Sequence, residues 1–279
     1  MTRVSIVVPA YNNADHIEET LHSIVSQTHA DLEIIVADHS STDGTRAVVE
    51  RFADDPRLTI VDTPSGGGAP RNWDRVTQLA TGDFIKLVCG DDLLDPTIVE
   101  RQVAVLSEDD RVALTSVRRS IVDAESRPVI RARGLGGALN GRVPGTQAIR
   151  ATVRAGSNLL GEPACVMMRR DALEAAGFWD PRFPYLIDEA TYARVLLTGD
   201  FVGIPEPLAS FRISQSQWSV ALTKQQYEQA AGFHRWMHDT RPDVVSRSDL
   251  AVGNALARAN ASGRRLTYVA LQRRMSKSA

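Results

Sequence analysis

The chain has 279 residues, of which 43% are hydrophobic and 24% are charged, and this composition excludes an intrinsically disordered or fibrous protein. The formal net charge of −2 gives no reason to expect a nucleic acid partner. The sequence has neither the run of roughly 20 apolar residues of a membrane-spanning helix nor a signal-peptide pattern, so we predict a cytoplasmic protein. Cys89 and Cys165 lack the paired spacing of a disulfide framework or a zinc site, and we interpret both as small buried hydrophobic residues.

The first 120 residues alternate short β-branched runs with amphipathic segments, a pattern typical of βαβ units that build a parallel sheet. Predicted strands cover residues 4–8, 32–37, 58–61 and 84–88. Predicted helices cover residues 17–25, 45–52 and 72–79, and a fourth begins at Asp95-Pro96 and ends near residue 106. The strands are apolar throughout, as expected where a sheet is covered on both faces.

The second half of the chain is less regular. Residues 111–145 are rich in arginine and glycine, and we predict a mobile surface loop at 131–145. A strand at 164–168, helices at 170–176 and 188–197, and a pair of strands near 201–204 and 208–213 follow, and the remainder is predicted to be helical.

Two common nucleotide motifs are absent from the sequence. The first predicted strand runs into Pro9-Ala10-Tyr11-Asn12 instead of the glycine-rich turn of a dinucleotide fold. A phosphate-binding P-loop needs a Gly-Lys pair, and the chain contains none. The glycine triplet at 66–68 is interpreted as a flexible loop.

Acidic residues follow two of the predicted strands, at the sheet edge where open α/β folds bind ligands. Asp38 ends the second strand; it is either a helix cap or a ligand for a ribose hydroxyl or base N–H, and Asp43 is better placed as the cap. Asp91 and Asp92 follow the fourth strand. Their mutual repulsion favours a bound Mg²⁺ or Mn²⁺, although an exposed turn would also accommodate two adjacent carboxylates.

Four segments taken in order resemble one family. They are VSIVVPAYNNADHIEETLHSIVSQT (4–28), EIIVADHSSTDGT (33–45), PRNWDRVTQLATGDFIKLVCGDD (70–92) and GEPACVMMRRDALEAAGFWDPRFPYLIDEATYARVLLTGDFVGIPEPLASFR (161–212). Together they are similar to the inverting family 2 glycosyltransferases of the GT-A fold, over roughly residues 3–220. The resemblance implies a Rossmann-like, mostly parallel sheet flanked by helices, with a nucleotide-binding half at about 1–110, an acceptor-side half at 111–220 and a helical extension at 221–279.

The resemblance also implies a site. Its predicted nucleotide-sugar contacts are Pro9, Tyr11, Asn12, Asp38, Arg71, Asn72, Asp91, Asp92 and Arg212, with Asp91 as the ligand for Mg²⁺ or Mn²⁺. Asp188 corresponds to the general base, and as an isolated residue it could equally be a helix cap. The implied reaction is a single displacement in which this base takes the acceptor proton while the cation stabilises the departing diphosphate. A UDP- or dTDP-sugar is the expected donor.

Two departures from the family pattern keep other functions open. Cys89 replaces the first acid of the usual Asp-x-Asp motif, and Ser214 stands where many relatives carry a histidine, with Ser216, Gln217 or Trp218 as candidate substitutes. The alternatives are a nucleotidyltransferase, which would release pyrophosphate, and a catalytically degenerate protein that binds a nucleotide-sugar or a partner without turnover. A glycosidase fits less well because it would not explain Asp38.

The C-terminal segment bears on the acceptor. Residues 241–279 hold seven arginines and one lysine against two aspartates, a net charge of +6. This basic segment is either a solvated helical face or a peripheral contact with the inner face of the membrane. A glycan, a lipid-linked molecule and a small natural product are therefore all open as acceptors, and the family resemblance adds the biosynthesis of cell-surface polysaccharide.

Overall fold

The computed structural model describes residues 2–213, 222 and 225–271, which form a mixed sheet covered by helices. The strands are β1 (Val4–Ala10), β2 (Leu32–Asp38), β3 (Leu58–Asp62), β4 (Phe84–Leu87), β5 (Leu93–Leu94), β6 (Val112–Val122), β7 (Pro128–Arg133), β8 (Gly141–Val143), β9 (Val166–Arg169) and β10 (Asp200–Arg212). The helices are α1 (Ile17–Val25), α2 (Thr45–Glu50), α3 (Gly68–Gln78), α4 (Ile98–Glu108), α5 (Gly145–Ala155), α6 (Arg170–Ala175), α7 (Ile187–Leu196), α8 (Gln226–Thr240) and α9 (Arg247–Leu271).

The four strands predicted in the first half are confirmed and run parallel. The strand order is β3-β2-β1-β4-β9-β6-β10-β5, with β7 added to β6 and β8 to β10. Every residue of β1 is buried, because helices cover both faces of the sheet. Ala10, Asp38 and Asp62 lie side by side where β1, β2 and β3 end, and this alignment places the polar residues of three strands at one edge.

The loop predicted at residues 131–145 is only partly correct, because it contains the end of β7 and all of β8. These short strands pair antiparallel with β6 and β10, and the 11-residue strand β6, which was not predicted, lies inside the sheet between β9 and β10. Arg118 and Arg119 interrupt the apolar pattern by which the other strands were predicted. Arg119 is nevertheless 4% exposed, because it pairs with Glu162. A buried arginine is tolerated in a strand only when such a partner is present.

The predicted pair of strands at 201–204 and 208–213 is one strand. β10 runs without a turn from Asp200 to Arg212, parallel to β6, and its register shifts after Asp200 and again on either side of Pro207. Proline lacks the N–H that a regular ladder needs, so Pro205 and Pro207 are accommodated as an irregularity of the strand and not as a loop.

The helical C-terminal extension is present as α8 and α9, which pack on each other and on α5. No helix within the described residues is long and apolar enough to cross a membrane. Residues 272–279, with Arg273 and Arg274, lie outside the described residues, so the predicted membrane contact stays a prediction. The division of the chain near residue 220 also stays a prediction.

Candidate active site

The loops that follow β1 and β2 are tied together by Asn12. Its backbone N–H donates to Ser41 Oγ (3.0 Å), and its Oδ1 accepts a hydrogen bond from Thr42 N (2.8 Å). Asn12 has a left-handed φ of 49°, a conformation that asparagine tolerates better than most residues. Pro9 is buried inside β1, whereas Tyr11 is 56% exposed at the sheet edge. Of these three predicted donor contacts, Tyr11 is therefore the most accessible.

Asp38 lies at the mouth of a pocket of about 430 Å³ that Asp62, Thr63 and Arg71 also line. Its side chain accepts a hydrogen bond from Ser41 Oγ (2.5 Å), and 6% of the residue is exposed. The N-cap of α2 is Gly44 and not Asp43 as predicted; Asp43 lies one residue earlier, where its Oδ1 accepts from Thr45 N (2.9 Å) and orders the turn before the helix. The carboxylate of Asp38 is thus held in place at the edge of a polar pocket.

Arg71 and Asn72 are adjacent on α3 but differ in their surroundings. Arg71 is exposed at the pocket, where Nη1 donates to Ser65 O (3.1 Å). A Cβ at Gly67 would come within 2.7 Å of the Arg71 side chain, so the glycine run provides the space that this arginine occupies. Asn72 is 2% exposed, and its Nδ2 donates to the carbonyls of Ala10 (3.3 Å) and Ala37 (3.1 Å). Asn72 thus joins the ends of β1 and β2 beneath the pocket.

The acidic turn after β4 holds two carboxylates in unlike environments. Asp91 is half-buried, whereas Asp92 is fully buried and its Oδ1 accepts a hydrogen bond from Arg212 N (3.2 Å). Burial and the neighbouring Asp91 raise the pKa of Asp92 well above its usual range. No three His, Cys, Asp or Glu side chains are arranged as a metal site in the described parts of the chain. A cation here would therefore have Asp91 as its accessible carboxylate and would need oxygen ligands from a donor diphosphate.

Arg212 is fully buried beneath this turn, and its guanidinium donates inside the protein. Nε donates to the Asp91 carbonyl (2.9 Å), Nη1 to the Ala124 carbonyl (3.1 Å) and Nη2 to Glu19 Oε2 (2.7 Å). These bonds join the acidic turn to α1 and to the turn after β6. Arg212 thus supports the turn from beneath Asp91. Its charged partner is Glu19, which was not among the predicted site residues.

Asp188 occupies the first turn of α7 and lines a second cavity, of about 380 Å³. Asn158 Nδ2 donates to Asp188 Oδ2 (3.0 Å), and Asn158 is held in turn by the backbone N–H groups of Leu160 and Gly161 (both 3.0 Å). Burial, with a smaller contribution from the nearby Glu162, raises the pKa of Asp188 to about 7, against the lowering effects of the Glu189 backbone N–H and of Arg119. A carboxyl group in this state can accept a proton near neutral pH.

The acidic turn and Asp188 are brought close to each other around Cys89. The carboxylates of Asp91, Asp92, Asp188 and Glu162 all act on this thiol and, together with burial, raise its pKa well above the usual range. Cys89 is half-buried, so its prediction as a buried residue is met only in part, and the raised pKa keeps its thiol protonated. Cys165 is fully buried, as predicted.

The sequence analysis missed the groups that support these carboxylates. Glu162 lies within a segment that carries the family resemblance, and Asn158 and Arg119 stand 30 and 69 positions before Asp188. Only the fold brings them together. The candidates Ser214, Ser216, Gln217 and Trp218 lie outside the described residues.

Comparison with known proteins places the chain in a family. The model of the glycosyl transferase family 2 matches residues 5–177, which include β1 to β9. The poly(ribitol-phosphate) β-N-acetylglucosaminyltransferase TarS of Staphylococcus aureus is 33% identical over 113 residues, which are 39% of this chain and 19% of TarS. The aligned segments span from 10% to 72% of the length of the other curated relatives.

Solved structures share the fold at low sequence identity. A crystal structure of S. aureus TarS (residues 1–349) in complex with UDP-GlcNAc has a TM-score of 0.67 and 17% identity, and covers 85% of this chain and 67% of that one. The mannosyltransferase PcManGT of Pyrobaculum calidifontis, in complex with GDP-Man and Mn²⁺, has a TM-score of 0.68 and 19% identity, and covers 100% of this chain and 76% of that one. The predicted GT-A fold is confirmed, and the chain belongs to glycosyl transferase family 2.

Proposed function

We propose that the chain is an inverting glycosyltransferase that moves a sugar from a nucleoside diphosphate donor to a hydroxyl acceptor. The observation that carries this proposal is the arrangement around Cys89, where the acidic turn and Asp188 act on one side chain. A displacement reaction needs the leaving group and the base on opposite sides of one reacting carbon. The acidic turn and the separate carboxyl group of Asp188 supply these two groups.

The donor nucleotide would lie across the ends of β1, β2 and β3. Asp38 is an acceptor suited to a base N–H or ribose hydroxyl, and Arg71 and Arg75 are cations that line the same pocket. Tyr11 is exposed beside them and offers an aromatic face to the base. UDP and dTDP are the expected nucleotides; the structures of TarS with UDP and UDP-GlcNAc favour a uridine donor, and PcManGT with GDP-Man makes guanosine the comparison to test.

In the chemical step, Asp188 would take the proton of the acceptor hydroxyl as the acceptor oxygen attacks the anomeric carbon. The new C–O bond forms while the bond from that carbon to the diphosphate oxygen breaks, and the electron pair leaves with the nucleoside diphosphate. The hydrogen bond from Asn158 fixes Asp188 Oδ2 and directs the base. The cavity next to Asp188 supplies room for the acceptor.

A divalent cation, Mg²⁺ or Mn²⁺, would supply Lewis-acid stabilisation of the leaving diphosphate. Asp91 would hold the cation, with the buried Asp92 behind it. One accessible carboxylate is enough, because Mg²⁺ and Mn²⁺ commonly bind through one or two carboxylates together with substrate phosphates. The mannosyltransferase neighbour with Mn²⁺ supports this choice of ion. Arg212 would keep the turn in position from below.

Calorimetric titration of UDP, dTDP and GDP, with and without Mn²⁺, tests the donor site. We expect Mn²⁺-dependent binding of one nucleotide that is lost in Asp91→Ala and retained in Asp188→Ala, so each variant controls for the other. Incubation of the natural protein with the matching nucleotide-sugar then tests the reaction. Release of the nucleoside diphosphate supports the transferase, and release of pyrophosphate would identify a nucleotidyltransferase.

Two other outcomes would overturn the proposal. Nucleotide binding without turnover in the presence of any acceptor would leave a degenerate binding protein. Absence of nucleotide binding with either metal would remove the donor site itself.

A further inference from the structure

We infer that the cavity beside Asp188 binds a pyranoside acceptor and that helix α9 forms the wall that selects it. This inference rests on the proposed role of Asp188 as the base. The family model ends at residue 177, whereas α8 and α9 begin at residues 226 and 247. The wall opposite the donor site is thus built from a part of the chain that the family match does not include.

The lining of the cavity suits a sugar ring. Leu186, Phe211 and Ile213 provide an apolar surface, and Ser157 and Thr267 provide hydroxyl groups. A pyranose presents C–H faces above and below its ring and a belt of hydroxyl groups around it, so it needs both kinds of surface. The volume of about 380 Å³ falls within the range of small-molecule sites. Asp188 lines the same cavity, which places the base within reach of a hydroxyl group of the occupant.

Helix α9 is fixed to the rest of the protein, so its cavity face is preformed. Asp249 accepts hydrogen bonds from Arg150 (2.9 Å) and Arg154 (2.5 Å) of α5, and its own side chain is buried. Asn260 Nδ2 donates to the last carbonyls of α5, at residues 155 and 156 (both 3.1 Å). A Cβ at Gly156 would fall on the backbone of Ala257, so the two helices touch main chain to main chain. A wall held in this way can discriminate between occupants by shape.

Gly263 makes the inference testable. It lines the cavity from α9, and a Cβ added there would meet no heavy atom of the described residues within 4 Å. A larger side chain at this position therefore enters the cavity without displacing any of the described residues. Glycine is also a poor residue inside a helix, so its replacement by leucine would stabilise α9 by about 1 kcal/mol. The cavity can thus be filled without unfolding the protein.

The experiment is saturation-transfer NMR on the full chain with three probes: methyl β-D-glucopyranoside, its N-acetylglucosaminide analogue and methyl β-D-glucuronide. We expect at least one probe to bind the natural protein. Gly263→Leu should raise its dissociation constant on the order of tenfold or more, because a misfit of a few methylene groups in a pocket has effects of this size. Ala255→Leu is the matched control, because residue 255 is exposed on the same helix and is not part of the cavity lining; we expect unchanged binding.

The nucleotide titration is repeated on both variants, and this separates the inference from the proposed function. Unchanged nucleotide binding with loss of the methyl glycoside in Gly263→Leu supports an acceptor wall. Equal glycoside binding by Gly263→Leu and the natural protein overturns the inference, even if sugar transfer is demonstrated. Failure of all three probes to bind the natural protein also overturns it. If only nucleotide binding fails, the proposed donor site is overturned, and the glycoside measurements on Gly263→Leu still decide the inference about the cavity.

Discussion

Replacing Asn158 with serine should shift the acidic limb of the pH–rate profile to higher pH. Asn158 Nδ2 donates to Asp188 Oδ2 (3.0 Å), and this bond stabilises the ionised carboxylate that acts as the base. Serine keeps an oxygen that can accept from the backbone N–H groups of Leu160 and Gly161, as Asn158 Oδ1 does, but its side chain is too short to reach Asp188. The variant therefore removes the contact with the base and retains much of the local turn.

The size of the shift follows from the environment of the base. Burial raises the pKa of Asp188 to about 7, so about half of the molecules carry the ionised base at neutral pH. A hydrogen bond to a charged group contributes roughly 1.5–3 kcal/mol, and 1.36 kcal/mol corresponds to one pKa unit, so its loss raises the pKa by roughly 1–2 units. The rate at pH 7 should then fall roughly 5- to 50-fold and recover towards the natural value above pH 9.

The assay is initial-rate release of the nucleoside diphosphate between pH 5.5 and 9.5. Asn158→Asp is a second variant, since it keeps the turn and places another carboxylate beside Asp188, which should shift the acidic limb further than serine does. Asn260→Ser is the control. Asn260 lines the same cavity, but among the described contacts it donates only to the carbonyls of Ala155 and Gly156. We therefore expect lower stability and an unchanged midpoint of the acidic limb. An unchanged midpoint in both Asn158 variants would refute the reasoning.

Three further predictions concern the buried charges of the site. Asp188→Asn should raise the melting temperature by several degrees at pH 8 and by less at pH 5. The carboxyl group has a pKa of about 7 in the folded protein and 3.8 in the unfolded chain, so the natural protein loses stability as the pH rises between these values and the variant does not. Equal gains at both pH values would contradict this. Arg212→Lys should lower the free energy of unfolding in urea by about 3 kcal/mol, since lysine cannot replace the five hydrogen bonds of the buried guanidinium, while Glu19→Gln should cost less; equal losses would indicate that the ion pair dominates. Cys89→Asp should strengthen the effect of Mn²⁺ on nucleotide binding in calorimetry, because it adds a carboxylate beside Asp91; an unchanged Mn²⁺ dependence would place the cation elsewhere.

The parallel half of the sheet was predictable because one physical signal dominated it. Residues 4–8, 32–37, 58–61 and 84–88 are mostly apolar and largely β-branched, and they form β1 to β4, of which the outer strand β3 is only partly buried. β6 was not predicted because arginine is typical of the protein surface. Arg119 is buried through its pairing with Glu162, which lies 43 positions away in the sequence. β10 was predicted as two strands because a proline such as Pro207 usually ends a strand. In the structure, β10 pairs with β6 on both sides of the register shift and remains one strand.

Positions in the site were easier to predict than the directions of side chains. Asp38 and Asp91 follow buried strands, so their places at one edge of the sheet follow from parallel topology alone. Asn72 and Arg212 are polar residues of the same motifs, yet both turn inward to backbone carbonyls. A sequence does not reveal this, since unsatisfied carbonyls become visible only once the strand and turn ends have been placed.

The two sides of the site depend on different parts of the fold, and this has a consequence for how the acceptor can vary. The donor residues stand at the ends of strands whose register is fixed by the sheet core, so a change there affects folding as well as binding. The acceptor cavity is closed by α9, a helix attached through Asp249 and Asn260 at positions that do not line the donor pocket. Substitutions at Gly263 change the shape of the cavity while those attachments remain. We therefore expect variation of α9 to alter the acceptor while nucleotide binding stays the same, and the paired NMR and calorimetric measurements on Gly263→Leu examine that separation directly.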